Sequence, residues 1–425
     1  MLRLYWCILL LLTIYAGGGF TASAATARTQ PAGSSPADVP SSRPVLRPGL
    51  FRVELTDSPP GRATHYWVRL PERYAPGQRP PLVVALHGTD DTAQQMLEFW
   101  STLRTRVPVI LVAPQGTGRG WSEADLPNIQ AMREDLERRL DFDSRRVLLC
   151  GFSAGGAMTF HLLYKENFPA TAAAALANYL PPPITHEDAR ARQRVPVFYG
   201  VGLHDLNHDR MRIGITLLRD AGVSVELYRP RIGHVLDPEV AQRTLDWFFD
   251  QTAQQLRAEV DAATRGPSPQ DQLSLLEDIL AQKAWHEPST IGWATQTLQA
   301  VEKPGRMDLL KARQLHQENR GADAVELLRS IEKSYPDGRL ARVIAQERAR
   351  IEGDPQVRLE LARRAAVQRT EQARALYVSA SRLAAQRRSE EAAEQCREIL
   401  SLYGDTPMAA NAERLLKLLQ SRSSP

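Results

Sequence analysis

A series of short, almost wholly apolar runs separated by amphipathic helical patterns is the feature that most restricts the fold of this chain. The runs lie at Tyr66–Leu70, Leu82–Leu86, Val109–Ala113, Val147–Cys150, Val195–Tyr199 and Val223–Tyr228. The helical patterns lie at Thr92–Arg106, Ile129–Leu140, Gly156–Asn167, His208–Ala221 and Pro238–Phe249. Buried strands that alternate with helices form parallel sheets. The pattern predicts a mostly parallel sheet with helices on both faces, to which Ala170–Ala177 adds a buried strand or helix.

Beyond residue 254 the strand patterns stop, and good helix formers dominate the sequence. Residues 320–337 align without gaps to residues 388–405, an offset of 388 − 320 = 68, or twice 34. The identical pairs are Ala324/Ala392, Glu326/Glu394, Arg329/Arg397, Ile331/Ile399 and Tyr335/Tyr403. A weaker third copy, Val357–Val367, has the same phase. A 34-residue period is typical of tetratricopeptide repeats. The sequence therefore predicts an all-α, tetratricopeptide-like repeat domain, with a plain helical bundle as the alternative.

The N-terminal segment has the pattern of a targeting signal. Arg3 precedes the apolar run Leu4–Ala16, and small residues follow, ending in Ala22-Ser23-Ala24-Ala25. This order is typical of a cleaved secretory signal, and the run is shorter than the ~20 residues that span a bilayer. We expect a signal peptide over residues 1–25, a secreted or periplasmic protein and no membrane span after cleavage. An uncleaved anchor is the alternative.

These patterns divide the chain into five segments. They are a signal peptide (1–25), a Pro- and Ser-rich flexible linker (26–48), an α/β domain (49–253), a helical connection (254–303) and the repeats (304–420). The net charge is +4, without the dense basic stripe that nucleic-acid binding requires, so no nucleic-acid partner is expected. Cys7 lies in the signal, and Cys150 and Cys396 are expected to be buried free thiols in different domains.

The segment Cys150-Gly151-Phe152-Ser153-Ala154-Gly155-Gly156 follows a predicted strand and opens a predicted helix. This is the context of the G-x-S-x-G nucleophile elbow, a turn so sharp that it requires small neighbours. Gly151 and Gly155 are therefore interpreted as turn glycines, and Ser153 as a nucleophile. The N–H of Ala154 is a candidate oxyanion donor. The alternative is a tight turn without chemistry.

A serine hydroxyl needs a base to remove its proton, and in this arrangement the partners follow in the order serine, acid, histidine. His234 lies between the last strand and the last helix of the α/β segment, where the base is expected. Asp205 follows the run Val195–Tyr199 and is the expected acid, with Asp209 as the alternative.

The loop after the first long apolar run is expected to supply a second oxyanion donor. Thr89 is the expected donor, with Gly88 allowing a close turn, and His87 is interpreted as structural. His204 and His208 are four residues apart, but they lack the helical context and third ligand of a metal site. No metal and no cofactor are expected.

Four motifs together give the chain a family resemblance. They are Leu70-Pro71-Glu72-Arg73-Tyr74, the run from Pro81 to Gly88, Asp143-Ser144-Arg145-Arg146-Val147, and the run from Gly151 to Met158. Over about Phe51–Phe249 the chain resembles the polyhydroxybutyrate depolymerase and feruloyl esterase branch of the α/β-hydrolase superfamily. The resemblance implies an α/β-hydrolase fold and a secreted serine carboxylesterase that uses Ser153, Asp205 and His234. The chain departs from that pattern at Thr89-Asp90-Asp91 and Val235-Leu236-Asp237. These departures bear on polymer degradation rather than on ester chemistry.

The leading hypothesis is an exported serine hydrolase that cleaves a small or polymeric carboxylic ester. One alternative is a peptide-cleaving enzyme related to prolyl oligopeptidase, since the same three side chains can cut peptides. A second alternative is a non-catalytic scaffold whose repeats bind protein partners. In either case the repeat domain is a possible site for a peptide or protein partner.

Overall fold

The computed structural model describes residues 47–55, 64–265 and 269–422. The predicted signal peptide, Cys7 and nearly all of the predicted linker lie outside these residues. Among the described residues, none of the helices combines the length and the apolar character needed to cross a bilayer.

An eight-stranded sheet forms the centre of the N-terminal half, with the strand order β1-β2-β4-β3-β5-β6-β7-β8. The strands are β1 Gly49–Leu55, β2 Thr64–Leu70, β3 Leu82–Leu86, β4 Ile110–Pro114, β5 Val147–Phe152, β6 Ala172–Leu176, β7 Val197–Gly200 and β8 Val225–Tyr228. β2 pairs antiparallel with β1 and β4, whereas β3 to β8 pair in parallel. The predicted, mostly parallel sheet is confirmed.

Helices cover both faces of this sheet. Its helices are α1 Ala93–Ser101, α2 Leu126–Arg139, α3 Ala154–Tyr164, α4 His186–Ala191, α5 His208–Asp220 and α6 Pro238–Ala263. Successive residues of a strand point to opposite faces, so Val84 packs with α2 and α3 while Val83 packs with α1 and α6. Burying each such side chain contributes roughly 1.5–3 kcal/mol, which explains why these strands are apolar without alternation.

Several bounds differ from the sequence prediction. β1 was not predicted, although Phe51, Val53 and Leu55 alternate with charged residues as an edge strand should. The open assignment at Ala170–Ala177 is resolved as a strand, β6. The last helix of the sheet, α6, continues from the predicted end at Phe249 to Ala263.

The C-terminal half of the described chain is all-α. Its helices are α7 Gln270–Ala281, α8 Pro288–Gln317, α9 Gly321–Ser334, α10 Gly338–Glu352, α11 Pro355–Ala385, α12 Ser389–Leu402 and α13 Pro407–Arg422. The expected boundary at 253/254 falls inside α6, and the one at 303/304 falls inside α8. The described residues of both halves belong to one compact unit.

The internal repeat is visible in the helix bounds. α9 and α12 are both 14 residues long and begin 389 − 321 = 68 residues apart, and α11 begins midway, 34 residues after α9. Asn319 and Arg387 have φ values of 62° and 64°, and these left-handed residues end the helices before α9 and α12. The third copy has no such break, because α11 runs on for 31 residues. The phase of 34 is present, and the tetratricopeptide-like assignment stays a prediction.

Candidate active site

The segment around Ser153 forms a sharp turn between β5 and α3. Ser153 has φ 50° and ψ −116°, a backbone conformation that residues other than glycine rarely adopt. A Cβ atom at Gly151 would lie 2.3 Å from Gly155 C, and one at Gly155 would lie 2.3 Å from Leu86 O. Both positions therefore require glycine, for the steric reason that the sequence suggested.

The backbone around Ser153 is held from the neighbouring strand. Ser153 N–H donates to Leu176 O at 2.9 Å, and the Asn178 amide donates to Ser153 O. Tyr179 N–H in turn donates to Asn178 Oδ1 at 2.5 Å. Sequence reasoning missed Asn178, although a polar residue directly after the apolar run Ala170–Ala177 was a usable signal.

His234 lies between the two other predicted residues. Its Nε2 is 2.9 Å from Ser153 Oγ, and its Nδ1 is 3.0 Å from Asp205 Oδ2. The Asp205 side chain is fully buried and that of His234 is 29% exposed. The structure thus brings together the three side chains, which come from the ends of β5, β7 and β8.

Two loops meet closely to join the acid to the base. Leu203 N–H donates to Pro230 O at 2.8 Å, and His204 N–H donates to Ile232 O at 3.0 Å. A Cβ atom at Gly202 would lie 2.1 Å from Ile232 O, so only glycine allows this approach. In the sequence, only its position at the start of the loop distinguished Gly202.

The structure separates the two candidate acids. The second carboxylate oxygen of Asp205 accepts the Asn207 N–H at 2.7 Å, and the Asn207 amide donates to Ala177 O at 2.9 Å. The Asp209 side chain is 95% exposed and its carboxylate lies 3.4 Å from His208 Nδ1. Asp205, and not Asp209, is the carboxylate against His234.

The two expected oxyanion residues both lie near Gly120. A Cβ atom at Gly120 would lie 3.6 Å from Ala154 Cβ and 3.7 Å from Thr89 Oγ1. Within the described part of the chain, neither the Thr89 nor the Ala154 N–H donates to a protein atom. At Gly88 a Cβ atom would lie 2.8 Å from the Phe152 ring, so a small residue is required there.

His87 is buried and has partners on both ring nitrogens. Nδ1 donates to Gly88 O at 2.8 Å, and Nε2 accepts the Gly116 N–H at 3.0 Å. Burial lowers the pKa of His87, which agrees with a neutral ring that has one donor and one acceptor. These contacts give His87 a structural role beside the site.

This arrangement can remove a proton from a serine. A neutral imidazole accepts the hydroxyl proton, and a buried carboxylate on its other nitrogen fixes the tautomer and stabilises the imidazolium that forms. The side chains of His204 and His208 do not belong to the hydrogen-bonded chain of Ser153, His234 and Asp205. Across residues 47–55, 64–265 and 269–422, no group of three or more metal-type ligands is present.

The curated relatives that this chain matches are named as esterases. The chain is 28% identical over 170 residues to a bifunctional acetylxylan esterase/xylanase from Neocallimastix patriciarum, covering 38% of this chain and 24% of that protein. It is 31% identical over 107 residues to a probable feruloyl esterase C from Aspergillus clavatus, covering 23% of this chain and 39% of that protein. The chain therefore spans well under half the length of these relatives.

Among solved structures, a ferulic acid esterase aligns with 48% of this chain and 99% of its own, at 16% identity and a TM-score of 0.41. No protein-family model matches the chain.

Proposed function

We propose that this chain is a serine hydrolase of carboxylic esters, with Ser153 as nucleophile, His234 as base and Asp205 as acid. The observation that carries the proposal is the continuous hydrogen-bonded chain from Ser153 Oγ through His234 to buried Asp205. The acetylxylan and feruloyl esterase relatives support ester chemistry over the peptide-cleaving and non-catalytic alternatives.

The proposed reaction has two halves. His234 Nε2 takes the Ser153 proton while Oγ attacks the ester carbonyl, and the N–H groups of Thr89 and Ala154 stabilise the oxyanion that forms. Losing one such donor typically raises the barrier by ~2.7–4 kcal/mol. The C–O bond to the alcohol then breaks, His234 protonates the leaving alcohol, and an acyl-serine remains. Water repeats the sequence, releasing the acid and restoring the serine.

Exposed apolar residues that are close in sequence to the proposed acid and base favour a substrate with an apolar part. Leu203 and Leu206 flank the proposed acid and are 41% and 77% exposed, and Val235, next to His234, is 52% exposed. Apolar side chains exposed around a polar site are typical of binding surfaces. The proposed substrate is therefore an ester with an apolar acyl or alcohol group, on a small molecule or a polymer. We also propose export through the signal peptide at residues 1–25.

A fluorophosphonate probe and p-nitrophenyl acetate test the nucleophile and the base. Ser153→Ala should abolish labelling, and Ser153→Ala and His234→Ala should each lower kcat at least ~10⁴-fold, with a double mutant hardly worse. The exposed Ser224→Ala serves as the matched control and should leave activity unchanged. Ester hydrolysis that survives Ser153→Ala, or an active peptide panel with inactive esters, would contradict the proposal.

The acid is tested by a pair of amide variants. Asp205→Asn should lower kcat about 10⁴-fold, because the amide holds the wrong histidine tautomer. Asp209→Asn should change kcat less than twofold, because its side chain is exposed and lies against His208. The reverse result would move the acid to Asp209.

A further inference from the structure

A loop outside the proposed triad forms a wall of the candidate site. Residues 116–122, called here the clasp loop, connect β4 to the short helix before α2. Gly120 of this loop faces Ala154 Cβ and Thr89 Oγ1, at 3.6 and 3.7 Å from its would-be Cβ atom. The clasp loop therefore lies next to both residues that are proposed to bind the oxyanion.

A buried carboxylate holds the base of the clasp loop. Asp125 Oδ1 accepts the Thr117 N–H and hydroxyl at 2.8 and 2.7 Å, and Oδ2 accepts the Ser122 N–H and hydroxyl at 2.8 and 3.1 Å. Asp125 is only 1% exposed. Burial raises the pKa of Asp125, but these four hydrogen bonds outweigh it and lower the pKa overall, so the loop is closed around a carboxylate anion.

At the tip of the clasp loop, Arg119 binds Asp90, the residue that follows Thr89. Arg119 donates from Nε and Nη2 to the two Asp90 carboxylate oxygens at 2.6 and 2.5 Å, and Arg119 O accepts the Asp90 N–H at 2.5 Å. Asp90 has φ 64°, a left-handed conformation that few residues adopt without local hydrogen bonds. Three bonds to one arginine therefore hold Asp90 in this conformation.

The clasp loop also holds the residue two positions before Thr89. Gly116 N–H donates to His87 Nε2 at 3.0 Å, and Trp121 Nε1–H donates to His87 O at 2.8 Å. The His87 and Trp121 rings lie 4.7 Å apart. Thr89 is thus fixed from both sides by residues of one loop.

Exposure argues against a role of the Arg119–Asp90 pair in overall stability. The Arg119 and Asp90 side chains are 84% and 52% exposed, and exposed ion pairs contribute little to the free energy of unfolding. A planar, two-bond arginine–carboxylate contact does, however, fix geometry. It therefore fixes Asp90, whose preceding residue, Thr89, carries the proposed N–H donor.

We infer that Arg119 and Asp90 are positioning residues that hold the Thr89 N–H beside the Ala154 N–H, with Asp125 fixing the loop that carries Arg119. This inference rests on the proposed ester hydrolysis. It assigns the Gly-rich segment 116–122 a role in turnover that no part of the triad supplies. The loop would act only on the state in which the oxyanion is present, and so on kcat rather than on KM.

The test compares full-length variants on p-nitrophenyl acetate. Arg119→Gln and Asp90→Asn should each lower kcat about 10- to 100-fold, leave KM within twofold, and combine without further loss, because a misplaced donor costs rate but not ground-state binding. Asn tolerates the left-handed conformation, so Asp90→Asn removes the charge and keeps the local backbone preference. The control is Arg388→Gln, which breaks a similar exposed pair with Glu391 in the helical half.

A trifluoromethyl ketone, which adds to the serine and forms a stable oxyanion, gives the decisive measurement. Its Ki should rise by the same factor by which kcat falls, with the melting temperature unchanged. Unchanged kcat and Ki in both variants, or a lower melting temperature with unchanged Ki, would overturn the inference while Ser153→Ala still abolishes activity. A wild-type chain without ester hydrolysis would overturn the proposed function and this inference with it.

Discussion

The two halves of the molecule are stabilised in different ways. In the α/β half, two large clusters of buried side chains lie on the two faces of one sheet and join residues from Val53 to Phe249. In the helical half, the buried side chains form smaller clusters, each made by helices that are close in sequence. The sheet is held by long-range contacts, whereas the helices are held by local ones.

This difference explains why the candidate site is in the α/β half. Ser153, Asp205 and His234 come from three loops that are distant in sequence, and parallel strands bring those loops to one edge of the sheet. In a helical repeat, by contrast, the same local packing recurs in each unit. Ala324 and Ala392, for example, are both fully buried in equivalent positions of α9 and α12.

A buried junction connects the two halves at the other edge of the sheet. Arg146 is 3% exposed and donates to Asp143 Oδ2 at 2.8 Å and to Trp285 O. Arg145 pairs with Asp278 of α7 at 2.7 Å. Arg146 precedes β5 and Ser153 follows it, so at ~3.3 Å per residue the junction is about 20 Å from the nucleophile. At this junction the helical half therefore contacts the end of β5 that lies opposite the candidate site.

Among the variants that test this comparison, a substitution at the junction should reduce the unfolding free energy most. Arg146→Met leaves Asp143 buried with fewer partners and should cost roughly 3–5 kcal/mol of unfolding free energy. If the halves depend on each other, calorimetry will show one transition at a lower temperature, while kcat in the cold stays unchanged.

The matched control for this experiment is Arg138→Met. Arg138 also pairs with an aspartate, but its side chain is 58% exposed and its partner is Asp135 of α2. Its melting temperature should stay near that of the wild type. Two separated transitions in Arg146→Met, with only the helical one shifted, would show that the halves are independent domains.

The sequence predicted best those features that have a local cause. Leu82–Leu86 was bounded correctly because every residue of that strand is buried, and the glycines beside Ser153 followed from the steric limits of the turn. The Ser153, Asp205 and His234 side chains meet as the chain order suggested, although their catalytic roles stay a prediction.

Features without a local cause were missed. Nothing near Arg146 in sequence indicates that it donates to Trp285 O, 139 residues away. The continuation of α6 to Ala263 also depends on distant packing, because Leu256 and Val260 are buried against α7 and α8. The continuous helix α11 over the third repeat copy was also not predicted. Residues 358–385 contain no Gly, Pro or Asn that would end a helix, which explains this continuity once the structure is known.

A buried charge introduced into the helical half should reduce stability to an extent that depends on its distance from the junction. Ala324 lies in the cluster that includes Leu273 of α7, whereas Ala392 lies in a cluster that joins the end of α11 to α12 and α13. An unpaired buried charge costs about 3 kcal/mol or more, so Ala324→Asp should lower the main melting transition. Ala392→Asp should instead open only α12 and α13.

Hydrogen exchange measured by mass spectrometry separates these two cases. In Ala392→Asp the loss of protection should be confined to the last helices, with the sheet unchanged. The exposed Ala410→Asp is the control and should change neither half. Equal, global destabilisation by Ala324→Asp and Ala392→Asp would mean that the helical half is as cooperative as the sheet.

The smallest expected effect is a pH dependence that originates at the junction. His286 is 5% exposed, and burial, together with the nearby Arg146 charge, lowers its pKa to about 3. Arg145 and Arg79 also oppose its protonation, and Asp143 favours it. In the unfolded chain its pKa returns to 6.5, so below that pH the unfolded state binds a proton that the native state does not. Stability should therefore fall as the pH drops from 6.5 towards 3.

Between pH 6.5 and pH 5 this single histidine should cost about 2 kcal/mol of unfolding free energy, at 1.36 kcal/mol per pH unit. His286→Asn cannot take up the proton, so its loss of stability between pH 7 and pH 5 should be smaller than that of the wild type by this amount. The exposed His186→Asn should keep the wild-type slope. Denaturant titrations at the two pH values measure both differences.

His286 lies on the helical side of the junction, and the charges that oppose its protonation lie on the sheet side. If His286→Asn reduces the pH dependence of the main unfolding transition, the two halves unfold together. An unchanged slope would mean that His286 leaves the junction before the sheet unfolds.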